Sequence, residues 1–598
     1  PYPHAWRYRD YVIDAINADT PFDRFVQEQI AGDLLPVSSP EQANRQRIAT
    51  GFLALGVKDV NQRFKERFQM DNVDEQIDVV TRSVLGLTVS CARCHDHKFD
   101  PVPQRDYYAL AGIFTSTENA AGLRNQMGGA GLAYYVPRNL ILLEGKLPEV
   151  DPAERARLEK QFAEAKKKWD EIRGTPEGLK LRPNGQPFQR RFRLEFERAQ
   201  AELNALTDPA QRGLAAHGVR DAATVADTEF RVRGEAEKRG PAIPRGFLTA
   251  FEVPGARTID PKGSGRLELA QWLTHERNPL TPRVAVNRVW AHLFGRGLVS
   301  TVDNFGVNGD TPTHPELLDH LARHFQNEGW SLKKLIRRLV LTRTYRLGSD
   351  APETHRAVDP GNLLLWRHAP RRLTAEEIRD SILANTGTLE TRKTNGSIAQ
   401  NMPMREIRDN GPEAKAIHEA ANRFTGRSVY LPLLRGLTPS TLQPFDPVDQ
   451  TLVSGVRETT TVPGQALFLL NATFVKKNAL HLAERLLRDR EAGEPQRIRL
   501  AYETLLGRSP TAGEVERAET FLADYASAYR EPVREERRDE KGPEPPARPM
   551  APIIDPDQAD QGGVAIAEEV VKPRDAQTAA WQALVQALIA SAEYRHVR

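Results

Sequence analysis

Cysteine is nearly absent from this sequence, since its 598 residues contain only Cys91 and Cys94. A framework of disulfides is therefore excluded as the source of its stability. Long apolar runs are missing as well. No stretch of ~18 apolar residues occurs, so we expect no transmembrane helix. The sequence shows no secretory signal and opens inside an amphipathic pattern without an initiator Met, which we interpret as a fragment lacking its original N-terminus.

Neither sign of charge dominates the chain. Its 83 basic residues nearly balance 80 acidic ones, for a formal net charge of +3. This balance gives no general reason to expect a nucleic acid or an anionic membrane as partner. Hydrophobic residues make up 39% of the sequence, which is enough for sizeable cores in a globular protein. The length favours about three to four domains.

Helical periodicity prevails along the sequence. One apolar stripe leads directly to the first cysteine and consists of Val73, Ile77, Val80, Val84 and Leu87. Further on, two heptad-like stripes are joined by a Gly/Pro-rich stretch, which predicts an antiparallel helical hairpin.

We therefore predict a mainly α-helical, two-domain protein with that hairpin inserted and a few short β segments between the domains. The predicted units are a first domain at 1–150, the hairpin at 151–206, a linker with short strands at 207–262 and a second domain at 263–598. The strands of the linker are expected in "TEFRVRG" and "GFLTAFEV". Residues 531–575 are rich in Pro, Glu and Arg with little apolar content, which predicts a disordered insertion.

Both cysteines belong to a C-x-x-C-H motif within "TVSCARCHDHKFDP". This is the sequence form of covalent haem c attachment, in which two thiols add to the haem vinyl groups and the histidine ligates the iron. Random placement of these residues would produce the motif in roughly one chain in ten thousand. The motif therefore predicts one covalent haem c, held by Cys91 and Cys94 with His95 as an axial iron ligand.

Two other interpretations of the motif stay open. A zinc or other metal site could use Cys91, Cys94, His95 and His97, with Asp100 as a further ligand, although tetrahedral sites usually draw on two separated ligand pairs. The two thiols could also form a redox disulfide, although the adjacent histidine and the missing βαβ context weaken that interpretation.

The sixth iron ligand is undecided by the sequence. Met70 and Met127 flank the motif, and either would raise the redox potential relative to histidine. His97 lies two residues past His95, about 200° around a helix, so we expect it to point away from the same iron. His97 and Asp100 form either a polar loop that leaves the motif or a hydrogen-bonding shell around a haem propionate or substrate.

Several long stretches resemble a known pair of families. "WRYRDYVIDAINADTPFDRFVQEQIAGDLLP", "IATGFLALG" and "GLTVSCARCHDHKFDPVPQRDYYALAGIF" resemble the planctomycete-specific cytochrome c-type domain, domain of unknown function fifteen-forty-nine. The second half is similar to its usual companion, planctomycete-specific domain one (fifteen-fifty-three), through "RLELAQWLTHERNPLTPRVAVNRVWAHLFG", "FDPVDQTLVSGVRETTTVPGQALFLLN" and "ALIASAEYRHV". The resemblance covers most of the chain apart from the hairpin and residues 531–575.

The resemblance implies a protein of the bacterial cell envelope, in the periplasm or at the cell surface. It supports haem at Cys91, Cys94 and His95, with an electron-transfer or haem-dependent redox role, an unidentified redox partner protein and a link to polysaccharide utilisation. One alternative is a non-redox envelope scaffold in which the C-x-x-C-H segment is structural or binds a metal. Another is a carboxylate-dependent glycan hydrolase, whose carboxylate pair cannot be located from one sequence.

A second group of polar residues falls between apolar stripes of the second domain. Polar groups near helix ends and turns usually satisfy the backbone, and the alternative is a binding site. The group consists of Asn287, Arg288, His292, Asp303, Asn304, His314 and Glu316.

Overall fold

The computed structural model describes residues 2–59, 62, 64–123, 135–183, 185–210, 212–350, 352–400, 412–434, 437–450, 453–488, 491–530 and 570–597. Helices dominate this part of the chain, so the predicted mainly α-helical class is confirmed. No helix in it combines the length and the apolar character needed to cross a membrane. Most of the predicted disordered insertion, residues 531–569, lies outside the described residues, and 570–575 lead without a helix or strand into the last helix.

The helices of the described residues follow in chain order. They are α1 (Ala5–Asn17), α2 (Phe22–Ala31), α3 (Pro40–Ala49), α4 (Lys65–Val80), α5 (Gln104–Thr115), α6 (Pro152–Ile172), α7 (Pro176–Leu179), α8 (Arg190–Thr207), α9 (Arg266–Leu273), α10 (Thr281–Phe294), α11 (Pro315–Asn327), α12 (Leu332–Val340), α13 (Glu353–Val358), α14 (Ala375–Thr386), α15 (Pro412–Arg423), α16 (Pro463–Asn471), α17 (Thr473–Arg488), α18 (Glu494–Leu506), α19 (Ala512–Ala528) and α20 (Ala576–Ala590). The strands are β1 (Thr117–Leu123), β2 (Tyr135–Leu142), β3 (Ala215–Ala216), β4 (Gly218–Asp221), β5 (Thr228–Arg231), β6 (Arg239–Ile243), β7 (Arg371–Arg372) and β8 (His596–Val597).

Three large apolar cores organise these elements. The first combines α2, α4 and α5 with α9, so α9 packs with the first core although its sequence falls in the predicted second domain. The second core lies among α10, α11 and α12. The third is formed by α14 together with α16 to α20. Phe22 joins the first two cores, because its backbone N–H donates to the Trp330 carbonyl at 2.9 Å and its ring stacks on that indole.

The strands differ from the prediction in two ways. β1 and β2 lie inside the predicted first domain, where they form an antiparallel sheet in the order β3-β2-β1-β4. The segment "GFLTAFEV" is not a strand. Its Thr249 bonds through both backbone N–H and hydroxyl to the Asp106 carboxylate, at 2.7 and 2.8 Å. The Thr249 backbone N–H thus finds its hydrogen-bond acceptor in a side chain instead of a neighbouring strand.

The helical hairpin is present as α6 and α8. The two helices meet through apolar contacts such as Phe162 with Phe196, whose ring centroids are 5.7 Å apart. Among the described residues of the two helices, only Leu158 is fully buried. The hairpin is therefore solvated along most of its length, as its heptad-like pattern with charged flanks indicates.

Arg266 is the most deeply buried cation of the first core. It is fully buried and lies 2.7 Å from the carboxylates of both Asp33 and Asp221. The guanidinium thereby ties α9 to the end of α2 and to β4. Because desolvating one charge is costly, the site is stable only while all three partners are present.

We expect Arg266→Met to destabilise the first core by about 3–5 kcal/mol, since two carboxylates would lose their partner. The control is Arg220→Met, because the pair of Arg220 with Glu118 is about 43% and 42% exposed, and exposed pairs contribute at most about 1 kcal/mol. Urea unfolding measures both. Equal losses in the two variants would contradict the prediction.

His217 is a second buried titratable group. Its Nδ1 donates to the Ala121 carbonyl at 3.0 Å and its Nε2 accepts from the His4 backbone N–H at 3.2 Å. Burial, followed by the nearby His4, lowers the pKa of His217 to about 3. The neutral imidazole therefore suits the fold, because protonating Nε2 would remove the bond from His4.

We expect the stability contributed by neutral His217 to be complete above pH ~6.5 and to be lost as the pH falls toward its folded pKa. The unfolded chain binds the proton first, so the free energy of unfolding should fall by about 1.4 kcal/mol per pH unit for this one group. Urea unfolding between pH 7 and pH 5 measures the slope. An unchanged slope in His217→Asn would contradict the assignment.

Candidate functional site at the C-x-x-C-H segment

The two cysteines lie on a short 3₁₀ helix, Val89–Arg93, with Cys94 at its end. The sequence pattern predicts an α-helix running into the motif. Instead α4 ends at Val80, a π-helical turn follows, and Gly86 ends that turn in the left-handed conformation with φ 64°. In a 3₁₀ helix residues i and i+3 share a face. Val89 and Ala92 accordingly form a fully buried pair, and Cys91 and Cys94 form an exposed pair.

His95 follows the exposed pair and is itself exposed. Its Nδ1 lies 2.6 Å from the Asp96 carbonyl oxygen. A carbonyl only accepts, so Nδ1 carries the proton and Nε2 holds a free lone pair. This backbone contact is the kind of outer interaction that orients a ligating histidine in metal sites.

The Arg93 carbonyl connects the 3₁₀ turn to α5. It accepts from Gln104 Nε2 at 2.8 Å and from the Tyr108 hydroxyl at 3.0 Å. The Arg93 guanidinium pairs with Asp71 at 3.0 Å and with Asp74 at 3.4 Å, and both carboxylates belong to α4. Burial raises the pKa of Asp74, against the opposing effects of Tyr107 and Arg93. Helices α4 and α5 thus hold Arg93, one of the two residues between the cysteines.

Gly234 closes one side of Cys94. Its φ is 73°, and a Cβ built there would lie 2.6 Å from the Cys94 sulfur. Beside it is a surface cleft of about 280 Å³, whose lining residues are Arg67, Asp71, Arg93, Gly234, Glu235, Ala236 and Glu237. Burial raises the pKa of Tyr108, under the same turn, to about 12. Neither Gly234 nor Tyr108 was recognised from sequence, since neither belongs to the motif.

His97 and Asp100 belong to the loop that leaves the motif after His95, here called the exit loop (residues 96–100), and their side chains face inward. His97 Nδ1 accepts from the backbone N–H of Asp100 at 2.8 Å and of Phe99 at 3.2 Å. Its Nε2 lies 3.1 Å from the Thr88 hydroxyl and 3.6 Å from the Asp100 carboxylate. Both ring nitrogens of His97 are therefore engaged in shaping the loop.

Asp100 connects this loop to the second half of the chain. It is 7% exposed, and its Oδ1 accepts from the Val307 N–H at 2.7 Å. Nearby, the Phe305 N–H donates to the Gly86 carbonyl at 2.7 Å. A Cβ on Gly86 would lie 2.8 Å from the Phe305 ring, so only glycine permits this approach. We call residues 82–100 the motif segment and 303–307 its docking loop.

Arg288, on α10, strengthens the same junction. It donates to the carbonyls of Arg82, at 2.7 Å, and of Ser83, and it pairs with Asp303 at 2.9 Å. Asp303 also accepts from the Gly455 N–H. Burial lowers the pKa of Arg288, against the raising effect of Asp303. These two members of the second-domain group thus join the motif segment to the docking loop.

The other members of the second-domain group each have a separate local role. Asn287 is fully buried and exchanges two 2.9 Å bonds with the Val299 backbone. Asn304 accepts from the Gly306 N–H at 3.0 Å, and His314 contacts its neighbour Thr313. Burial, followed by Arg371, lowers the pKa of His292. Glu316 is exposed at the start of α11.

Met70, one of the two flanking methionines, does not lie with the exposed groups of the motif. Met70 is 2% exposed and packs within the first core, whereas the cysteines and His95 face solvent. Met127 lies outside the described residues. Within the part of the chain that the structure describes, no three His, Cys, Asp or Glu side chains come together as a metal site.

Fold and site together define a mainly α-helical protein that presents a C-x-x-C-H turn at its surface and braces it against a second helical unit. Two family models match it. PSCyt2, a protein of unknown function (DUF1549), matches residues 1–119, and PSD1, a protein of unknown function (DUF1553), matches residues 265–522. The pair occurs in the order that the sequence resemblance indicates. No curated protein and no solved structure matches the chain.

We expect Asp100→Ala to destabilise the junction by about 1–3 kcal/mol, because the Val307 N–H loses its bond to the buried, charged Asp100 carboxylate. Asp100→Asn is the matched control, since its amide oxygen can still accept that bond and should retain most of the stability. Thermal unfolding compares the two. Equal stability of Asp100→Ala and the unchanged protein would show that the bond contributes nothing.

Proposed function

We propose that this chain is a c-type haem-binding protein of the bacterial cell envelope with an electron-transfer or other redox role. One observation carries the proposal. Cys91 and Cys94 are free, exposed and on the same face of a 3₁₀ turn, with the His95 Nε2 lone pair left open beside them. Covalent attachment of haem requires these two thiols and that nitrogen.

The donor set fits the group. Cys91 and Cys94 would hold haem as thioethers and His95 would ligate its iron, and bound haem supplies one-electron chemistry. The thiols carry no disulfide that would first need reduction. Because Val89 and Ala92 are buried under the turn, the two thiols keep their outward orientation without any ligand.

The surrounding residues position this donor set. The Asp96 carbonyl holds the His95 ring in the tautomer whose Nε2 is free. The Arg93 carbonyl, bonded to Gln104 and Tyr108, fixes the peptide between the thiols. Close packing of Gly234 limits movement of Cys94 on one side.

His97 and Met70 are not assigned as the sixth ligand. Both nitrogens of His97 are already hydrogen-bonded within the exit loop, and recruiting one would break the contacts of Asp100 and Phe99 or of Thr88. Met70 would have to leave the first core. The proposal therefore leaves the sixth position to water or to a ligand other than these two.

The cellular setting is part of the proposal. Haem c attachment in bacteria is completed outside the cytoplasm, so a loaded motif places the chain in the periplasm or at the cell surface. PSCyt2 and PSD1 are both described as proteins of unknown function, so neither family name implies an activity. An electron-transfer partner protein is implied, and the link to polysaccharide utilisation stays an expectation.

One observation favours the scaffold alternative. His97, Asp100 and Arg288 all serve the junction between the motif segment and the docking loop. A purely structural C-x-x-C-H segment would need the same contacts. For the hydrolase alternative, the Asp303 carboxylate is occupied by Arg288 and the Gly455 N–H, and no observation favours it.

We expect the chain, produced in a host with haem c maturation machinery, to gain about 616 Da on the peptide that contains Cys91 and Cys94. Intact and peptide mass spectrometry measure the adduct, and the visible spectrum should show a Soret band. Because neither thioether can form without the thiols, Cys91→Ser/Cys94→Ser should carry no covalent haem.

Ser90→Ala is the control, since it changes an adjacent side chain whose hydroxyl bonds to the Asp74 carbonyl at 3.3 Å and leaves the donor set intact. It should load haem fully. A folded protein without the adduct, or haem that acid-acetone extracts, would reject the haem c proposal and favour the scaffold.

A further inference from the structure

The tip of the helical hairpin carries a local charge asymmetry that the balanced composition hides. Between Glu177 and Glu195 the sequence has no acidic residue and five basic ones: Lys180, Arg182, Arg190, Arg191 and Arg193. Arg193 pairs with Glu197 at 2.9 Å on the shaft. Among the described contacts, Lys180, Arg182, Arg190 and Arg191 have no carboxylate partner.

Apolar side chains accompany these cations. Leu181 is 67% exposed, Leu179 54% and Leu194 51%. Arg191 lies over the rings of both Phe188 and Phe192, at 4.3 and 4.4 Å from their centroids. The tip thus combines outward leucines with guanidinium groups stacked on aromatic rings.

Backbone hydrogen bonds join the two sides of the tip, which lies at the opposite end of α6 from the buried residue of that helix. The Phe188 N–H donates to the Lys180 carbonyl and the Gln189 N–H to the Gly178 carbonyl, both at 2.9 Å. Leu179 and Leu181 belong to this paired segment, and both side chains are exposed. Helix α6 has 21 residues, which correspond to about 30 Å, and its only buried residue, Leu158, lies near the base.

We propose that this tip, residues 178–183 and 185–194, docks on the surface of a membrane rich in anionic phospholipid. Lipid phosphates would meet the unpaired cations, and the leucines would enter the boundary with the acyl chains. An acidic protein or polysaccharide would match the cations alone. The exposed leucines, at the far end of an otherwise polar arm, favour a lipid surface.

Flotation of the full chain with vesicles tests this proposal. We expect binding to phosphatidylcholine vesicles that contain phosphatidylglycerol and at least about tenfold weaker binding to phosphatidylcholine alone. Lys180→Gln/Arg190→Gln/Arg191→Gln should weaken binding to the anionic vesicles at least about tenfold, and Leu179→Ser/Leu181→Ser should do the same.

Two matched controls keep the outcomes distinct. Lys146→Gln/Lys160→Gln/Lys572→Gln removes the same charge from exposed positions off the tip, and Leu364→Ser/Leu500→Ser removes two exposed leucines elsewhere. Both should bind like the unchanged chain. Circular dichroism should show that every variant is folded.

Three results would overturn the proposal. They are no binding to anionic vesicles, equal losses in tip and control variants, and a loss in the charge variant without a loss in the leucine variant. The last result would show that the leucines do not enter the bilayer, so that the tip binds anionic groups by charge alone and is not built for a lipid surface. Self-association through the tip would appear as a dimer in size-exclusion chromatography without vesicles.

Discussion

The contact between the motif segment and its docking loop is the constraint on which the site depends. Asp100 accepts from Val307, Gly86 meets Phe305, and Arg288 reaches back to the carbonyls that end the π-helical turn. These contacts lie on either side of the 3₁₀ turn. With both ends of the segment held, the short turn between them keeps its geometry, although a 3₁₀ turn of five residues has little stability of its own.

In this arrangement some polar groups of the motif segment shape the fold, and others stay free to bind a ligand. The inward-facing polar residues have their hydrogen-bonding capacity used by backbone partners, as buried polar groups generally do. The two thiols and the His95 Nε2 are left facing solvent. The contrast between two histidines two positions apart shows the division: His97 is bonded through both nitrogens, and His95 through one.

Much of the architecture was predictable from the sequence. Apolar periodicity indicated the helices, and heptad-like stripes indicated the hairpin α6–α8, whose Phe162 and Phe196 contact each other as that pattern implies. The short strands β1 and β2 were not predicted, because a strand is stabilised by partners distant in sequence: Thr117 pairs with Asp221. "GFLTAFEV" has a strand-like composition, but its Thr249 bonds to Asp106 instead of an adjacent strand.

The sequence by itself determined the ligand atoms of the motif, which are two cysteine sulfurs and one histidine nitrogen. Few kinds of site use these three residues at this spacing. The sequence also determined the charge asymmetry of the hairpin tip. Only the tertiary structure decided which neighbours act on those groups. Val307 bonds to Asp100 across 207 positions, and Gly234 packs on Cys94 because β5 and α5 lie together. Such contacts depend on how packed elements meet in space, and local spacing along the chain carries no record of them.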